Sequence, residues 1–320
     1  MLSIIIPIFN EELSLEPLFE KIMIVLEKNG ISSFEIILVD DGSNDNSWEI
    51  IENLVNRRCC KVKAIKLRKN FGKSYALMAG FKEASGEIVL TMDADLQDDP
   101  EEIPNFIKKI EEGYDLVSGW KKKRNDPISK TLPSIIFNKT TTYLTGLKLH
   151  DLNCGFKAYK KELLDNLEIY GELHRYIPVL AYDLGYKVAE IPVRHHFRKF
   201  GKTKYGFERF VRGFLDLLTV LTITRYLQKP GHFFGGLGII SGMVGFATLG
   251  YLSLLWFMGV RPIGTRPLFF FGILAVILCF QLISIGLLGE LFVRNNNSRP
   301  SKKIIEKNLI SLVDKNQNKK

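Results

Sequence analysis

Apolar and polar positions follow two rhythms along the first 120 residues. Short apolar runs at Leu2–Ile8, Phe34–Val39, Val62–Leu67, Glu87–Met92 and Tyr114–Ser118 read as buried strands. Between them, apolar residues recur three and four apart. Leu15, Leu18, Phe19, Ile22, Val25 and Leu26 predict a helix over Leu13–Asn29 that ends at Gly30. Helices are also expected over Asp45–Val55, over Ser74–Ala84 with Gly86 beyond, and over Pro100–Glu112. In the last, Asp99 is the expected N-cap and Pro100 occupies the first helical position. Strands alternating with helices, each strand continuously apolar, imply an α/β fold: a mainly parallel sheet with helices on both faces. In such sheets ligands bind outside the carboxyl ends of the strands.

The pattern changes near residue 230. Gly231–Val260 and Pro267–Gly289 contain no Asp, Glu, Lys or Arg. Each could cross a hydrocarbon core of roughly 30 Å as a helix. Gly235, Gly236, Gly238, Gly242 and Gly245 give the small-residue spacing that lets membrane helices approach closely and makes self-assembly an expectation. The net charge of +9 falls beside these segments: Arg194–Lys229 holds nine Lys and Arg against Glu208 and Asp216, and Arg294–Lys320 holds eight against Glu306 and Asp314. Basic blocks flanking apolar spans suit anionic lipid rather than nucleic acid, and the positive-inside rule assigns them to the cytoplasm. The expected organisation is a cytoplasmic domain over 1–204 and an amphipathic interfacial helix over 205–230. A transmembrane hairpin over 231–293 follows, with helices at about 232–258 and 267–292, and then a basic cytoplasmic tail over 294–320. The N-terminus lacks the basic region of a signal peptide. Cys59, Cys60, Cys154 and Cys279 have no metal spacing and suit a reducing compartment.

Three strand ends are unusually rich in carboxylates. The first reads Pro7-Ile-Phe-Asn10-Glu11-Glu12, the second Asp40-Asp41-Gly42-Ser43, the fourth Asp93-Ala-Asp95-Leu-Gln97-Asp98-Asp99. One acidic turn is explained by helix capping. Three on one rim need a cation or a set of hydroxyl and amine donors. A hard divalent ion such as Mg²⁺ or Mn²⁺ takes few protein oxygens and completes its shell with waters and phosphates, and nucleotide sugars supply phosphates and ribose hydroxyls. The glycine-rich phosphate fingerprints are absent.

The motifs Pro7-x-x-Asn10-Glu11, Asp40-Asp41-Gly42-Ser43, Asn70-x-Gly72-Lys73, Asp93-x-Asp95-x-Gln97 and Asp151-x-x-Cys-Gly155-Phe156, in that order, resemble family 2 glycosyltransferases of the GT-A fold. More narrowly they resemble the polyprenyl-phosphate glycosyltransferases, the group that includes dolichol-phosphate mannose synthase and bacterial bactoprenol glucosyltransferases. The resemblance runs over about 3–228, and the two-helix tail is similar to the bacterial branch. It implies that Pro7, Asn10, Glu11, Asp40, Lys73 and Asp93 bind the nucleotide sugar, and that Asp93, Asp95 and Gln97 meet the metal. Asp95, Asp151 and Arg198 are implied in catalysis, with Asp151 at the position of the family's base. Arg124, Lys130, Arg198, Lys202 and Lys204 are the cations implied for a lipid-linked phosphate. Asp98 and Asp99 have no such counterpart and are expected to cap and be solvated. His195 and His196 are expected as packing or interfacial residues.

The implied activity is inverting transfer of a hexose, glucose first, from a nucleotide sugar (a uridine nucleotide favoured) to polyprenyl phosphate. The alternatives are GDP-mannose, UDP-GlcNAc or an amino-sugar as donor. A processive polysaccharide synthase would need a Gln-x-x-Arg-Trp motif and more membrane helices. A non-catalytic nucleotide sensor would not need the intact acidic set.

Overall fold

The computed structural model describes residues 1–57, 61–122, 141–142, 145–167, 169, 171–197, 219 and 230–296. The chain divides into two units, Met1–Val220 and Leu221–Lys320. The first is built on a sheet of β1 (Leu2–Ile8), β2 (Phe34–Asp40), β3 (Val62–Lys66), β4 (Ile88–Thr91), β5 (Leu116–Trp120), β6 (Lys157–Lys160) and β7 (Val188–Pro192). Their order across the sheet is β3-β2-β1-β4-β6-β5-β7. Every pairing is parallel except those of β6, which runs antiparallel to both β4 and β5.

The apolar runs become central strands because both of their faces are covered. Helices α1 (Leu15–Lys28), α2 (Ser47–Asn56) and α4 (Ile103–Glu111) pack Leu18, Ile22, Ile51 and Phe106 into one core with Ile4, Ile6, Ile8, Ile36 and Leu38. Helix α3 (Lys73–Glu83) lies on the opposite face, where Gly80 lets its backbone approach Ile5. A methyl at Gly80 would sit 2.5 Å from Ile5 Cγ2. Phe106 meets Phe156 with ring centroids 4.4 Å apart, which ties α4 to the start of β6. Each such buried side chain contributes about 1.5–3 kcal/mol.

The expected elements are present with shifts of one to three residues at their ends. Asp99 does cap, accepting from the Glu101 amide at 3.2 Å, but the turn it starts is 3-10 over Pro100–Glu102 before α4 begins. The antiparallel β6 carries no distinguishing sequence signal. Between β6 and β7 lie α5 (Lys161–Asp165), a 3-10 turn over Leu173–Tyr176 and α6 (Ile177–Asp183).

The second unit consists of two long apolar helices, α7 (Pro230–Phe257) and α8 (Pro267–Asn296). Both are long and apolar enough to cross a membrane. Their contact uses the glycines: a methyl at Gly238, Gly242 or Gly245 would fall within about 3 Å of Cys279, Ile283 or Val276 on α8. Outward-facing Phe246, Leu254, Phe270, Leu274, Phe280 and Leu288 are each more than 60% exposed, a surface suited to lipid. Except for Thr219 and Pro230, the interfacial helix expected over 205–230 lies outside the described residues, and so does the part of the basic tail expected over 294–320 that follows Asn296.

At the amino-terminal edge of the sheet, Glu35 is completely buried. It accepts from Ser3 Oγ (2.8 Å) and the Ser85 amide (2.7 Å) and pairs with Lys61 (3.0 Å) and Lys63 (3.1 Å). Burial alone would raise its pKa, but these partners outweigh it and hold the carboxyl at about 2. A depressed carboxyl stabilises the fold above its unfolded pKa, and that stability is lost as pH falls through the folded value. Thermal unfolding of Glu35→Gln in detergent should show a loss of about 3 kcal/mol at pH 7. The difference from the native chain should shrink between about pH 4.5 and pH 2. A constant difference across that window would count against the ion cluster.

Candidate active site

Because β1, β2 and β4 are parallel, their carboxyl ends share one edge of the sheet, and the loops after them meet there. The loops after β1 and β2 are joined by hydrogen bonds from the Asn10 amide to Ser43 Oγ (2.9 Å), the Asn44 amide to Asn10 Oδ1 (2.8 Å) and the Glu11 amide to Ser47 Oγ (2.9 Å). Asn10 takes a left-handed backbone, φ 54°, which asparagine tolerates. Pro7, lacking an N–H, sits in β1 beyond the last residue paired with β4. Asp40 is fully buried. Its Oδ1 accepts from the Ser43 amide at 3.1 Å, while Oδ2 has no hydrogen-bond partner among the described residues. A buried carboxylate oxygen with no donor is costly unless a ligand supplies one.

Asp41 has a different job. Its two oxygens accept from the amides of Phe71 (2.8 Å) and Gly72 (2.9 Å), fixing the loop that begins α3. Gly42, at φ +69°, fits against that loop because a methyl there would strike the Lys69 backbone at 2.4 Å. The loop delivers Lys73 to the first turn of α3, where the helix dipole disfavours a cation. Asp93 offsets this by pairing directly with the Lys73 ammonium. Burial would raise the Asp93 pKa, but Lys73 first, then Lys121 and His174, hold it at about 2.

The loop before β6 enters the same edge because that strand runs the other way. Asp151 is 1% exposed, with Oδ1 accepting from the Asn153 amide at 3.1 Å. Gly155 lies against Asp93: a methyl there would be 2.6 Å from its carboxylate oxygens. Lys157, the first residue of β6, is 3% exposed and donates to the Cys154 carbonyl. Burial pushes it down to about 8 and pushes the Cys154 thiol up to about 12. Ser74 Oγ lies 3.0 Å from His174 Nδ1, and burial together with Lys73 keeps this histidine well below its usual value.

The turn after β4 is strained: Leu96 is left-handed at φ 61°, held by its burial. Asp95 Oδ1 accepts from the Gln97 amide at 3.2 Å. Asp98 corrects an expectation. It is not solvated but 2% exposed, and pairs with Lys121 at 3.2 Å. Solvation fails because the segment after β7 lies across this turn. His195 bridges Asp98 in antiparallel fashion, and the His196 amide donates to Gln97 O at 2.8 Å. The two histidines face the acidic turn: Gln97 Nε2 is 3.5 Å from His195 Nε2, and His196 Nε2 is 3.1 Å from Asp99 Oδ2. Arg124, Lys130, Arg198, Lys202 and Lys204 lie outside the described residues.

A model of "Glycosyl transferase family 2" matches residues 3–168. A dodecaprenyl-phosphate galacturonate synthase of Rhizobium johnstonii is 37% identical over 297 residues, 92% of this chain and 88% of that protein. An undecaprenyl-phosphate 4-deoxy-4-formamido-L-arabinose transferase of Shewanella sediminis is 37% identical over 290 residues, 90% and 86% of the two chains. Among solved structures, glucosyl-3-phosphoglycerate synthase from Mycobacterium tuberculosis, in complex with Mn²⁺, uridine diphosphate and phosphoglyceric acid, superposes with a TM-score of 0.52. It is 20% identical, covering 70% of this chain and 78% of that one, which is a likeness of fold.

The structure thus gathers Asn10, Glu11, Asp40, Lys73, Asp93, Asp95, Gln97 and Asp151 along one edge, with Pro7 in the strand that leads there. Sequence reasoning missed Lys121, Lys157, Ser74 and His174. Lys157 had one signal, a cation directly after the Gly155-Phe156 motif; His174 had none. The contact between Gly155 and Asp93 predicts that Gly155→Ala lowers stability by about 1–3 kcal/mol. In a double-mutant cycle followed by thermal unfolding, Asp93→Ala should recover most of that loss. Additive effects would show that Gly155 does not act through Asp93.

Proposed function

This chain belongs to glycosyl transferase family 2 and is a glycosyltransferase; from that premise we propose that it moves a sugar from a nucleotide diphosphate sugar to the phosphate of a polyprenyl lipid. The observation that carries the reading is the single rim on which Asp40, the Lys73–Asp93 pair, the Asp95–Gln97 turn and Asp151 converge. The relatives' names support the lipid acceptor. They also favour a modified sugar, an amino-sugar or a uronic acid, over the glucose expected from the sequence.

In this reading Asp40, Glu11, Asn10 and Pro7 receive the base and ribose, and Asp40 Oδ2, which has no hydrogen-bond partner among the described residues, accepts from a base N–H. Lys73 gives the diphosphate an ammonium beside Asp93. Asp95 and Gln97 would hold a divalent cation, Mg²⁺ or Mn²⁺, with Asp93 alongside. The donor set fits such an ion: one carboxylate and one amide oxygen leave room for waters and phosphates. Among the described residues no three His, Cys, Asp or Glu side chains form an all-protein cage. When bound, the ion supplies positive charge to the leaving diphosphate.

A phosphate monoester has a second pKa near 6, so the acceptor is already a nucleophile at neutral pH. Its oxygen attacks the anomeric carbon from the side opposite the diphosphate, whose bond breaks, and the configuration inverts. Asp151, held through its Oδ1 by the Asn153 amide, orients the acceptor rather than taking a proton. Arg124, Lys130, Arg198, Lys202 and Lys204 are proposed to neutralise the acceptor phosphate. Domain 1–204 and both termini are proposed to lie on the cytoplasmic side of a membrane crossed by α7 and α8, with a uridine nucleotide as donor and self-assembly through the helices.

The test is to incubate membranes containing the protein with undecaprenyl phosphate and a panel of nucleotide sugars, then identify the glycolipid by mass. A single sugar on polyprenyl phosphate is expected. Chelation should abolish its formation, and Mn²⁺ or Mg²⁺ should restore it. Asp95→Ala should reduce it by at least about a hundredfold with the fold retained. A polymer, a sugar on protein, or full activity of Asp95→Ala would overturn the reading.

A further inference from the structure

Asp98 is a buried group to which none of the roles assigned so far gives a purpose. Asp98 neither caps the following turn, which Asp99 does, nor reaches solvent. Its carboxylate, 1% exposed, rests against the Lys121 ammonium, itself only 17% exposed. Lys121 is the first residue after β5 and opens the basic run toward Arg124 and Lys130. The Asp98 backbone bridges His195, which lies three residues before Arg198. The two segments proposed to supply cations to the acceptor phosphate therefore both start at Asp98, one from its side chain and one from its backbone. The same residue directly follows the Asp95–Gln97 turn on the donor side.

Further contacts surround this junction. His196 donates its amide to Gln97 O (2.8 Å) and its ring faces Asp99 (3.1 Å). Gln97 Nε2 contacts His196 O (3.4 Å). The Arg194 guanidinium lies within 4.0 Å of Asp99, Glu101 and Glu102. Removing one partner of a buried pair leaves an uncompensated charge, so the junction should open when the Asp98 charge is lost.

We propose that Asp98, through Lys121 and His195, is a positioning residue that locks the acceptor-side segments to the donor-side turn. The proposal rests on the polyprenyl-phosphate reading above. Its signature is a split between substrates: acceptor use depends on Asp98, and nucleotide binding does not.

The experiment compares full-length Asp98→Asn with the native chain in nanodiscs, using two readouts. In hydrogen exchange, the amides over 194–197 should lose at least tenfold protection while β1 and β2 keep theirs. In transfer assays with the donor that the panel identifies, KM for undecaprenyl phosphate should rise about tenfold or more. The Kd of the corresponding nucleoside diphosphate should stay within twofold. Pairing Asp98→Asn with Lys121→Gln, which removes the uncompensated charge, should restore protection over 194–197. Unchanged exchange there overturns the lock. Exchange that rises equally throughout the sheet, or a nucleotide Kd that worsens in step with the acceptor KM, shows general destabilisation and also overturns it. If the lock opens as expected but native protein glycosylates no polyprenyl phosphate, the acceptor role falls with the reading it rests on. If native protein does transfer to that lipid and Asp98→Asn keeps its acceptor KM, the lock fails and the reading stands.

Discussion

Carboxylates that converge on one edge of a sheet repel one another and raise each other's pKa, so a rim holding Asp40, Asp93, Asp95, Asp98 and Asp151 needs positive charge within it. Much of that charge comes from lysines of the chain itself. Lys73 pairs with Asp93 and Lys121 with Asp98. Lys157 is buried nearby, within electrostatic reach of Asp93 and Asp151. Buried lysines are expensive alone, and the aspartates are what make Lys121 tolerable: burial would lower its pKa, yet Asp98, Asp93 and Asp151 raise it. The acidic turn and the lysines around it therefore depend on each other. In the proposed reading this arrangement leaves Asp95 and Gln97 for the divalent cation.

The direction of β6 completes the site. A purely parallel sheet would send the loop before this strand to the far edge. Inserted antiparallel between β4 and β5, β6 starts where its neighbours end. Gly155 thereby meets Asp93, with Lys157 within electrostatic reach of it and Asp151 on the same edge, and the methyl that Gly155 lacks leaves room for the Asp93 carboxylate. Strand polarity thus turns a motif that is distant in the chain into part of one site.

The apolar helices follow a separate logic. Gly238, Gly242, Gly245, Gly272 and Gly286 face the other helix, and many of the large residues face outward. That is the reverse of a soluble helical pair, and it fits helices surrounded by hydrocarbon. The expectation of self-assembly through the glycines meets a competing use, because Gly238, Gly242 and Gly245 are occupied within the hairpin.

The sequence by itself determined the strands and helices of the first 120 residues, that the sheet is mainly parallel, that two helices are suited to a membrane, and which strand ends are acidic. Each of these rests on spacing or composition within a short stretch, and neighbouring residues are enough to express it. The motif resemblance added Asp151 and Gly155 to the site. Only the tertiary structure decided which carboxylates receive a lysine, that Asp41 builds a loop while the buried Asp40 keeps one oxygen without a hydrogen-bond partner among the described residues, and that Asp98 is buried. These outcomes hang on partners far along the chain: Asp41 on Gly72, Asp93 on Lys73, and Gln97 on His195, 98 residues away. A solvated aspartate and a buried, paired one are identical letters in a sequence. Burial depends on what the fold lays over the residue, and the segment after β7 that covers Asp98 cannot be inferred from the turn it covers.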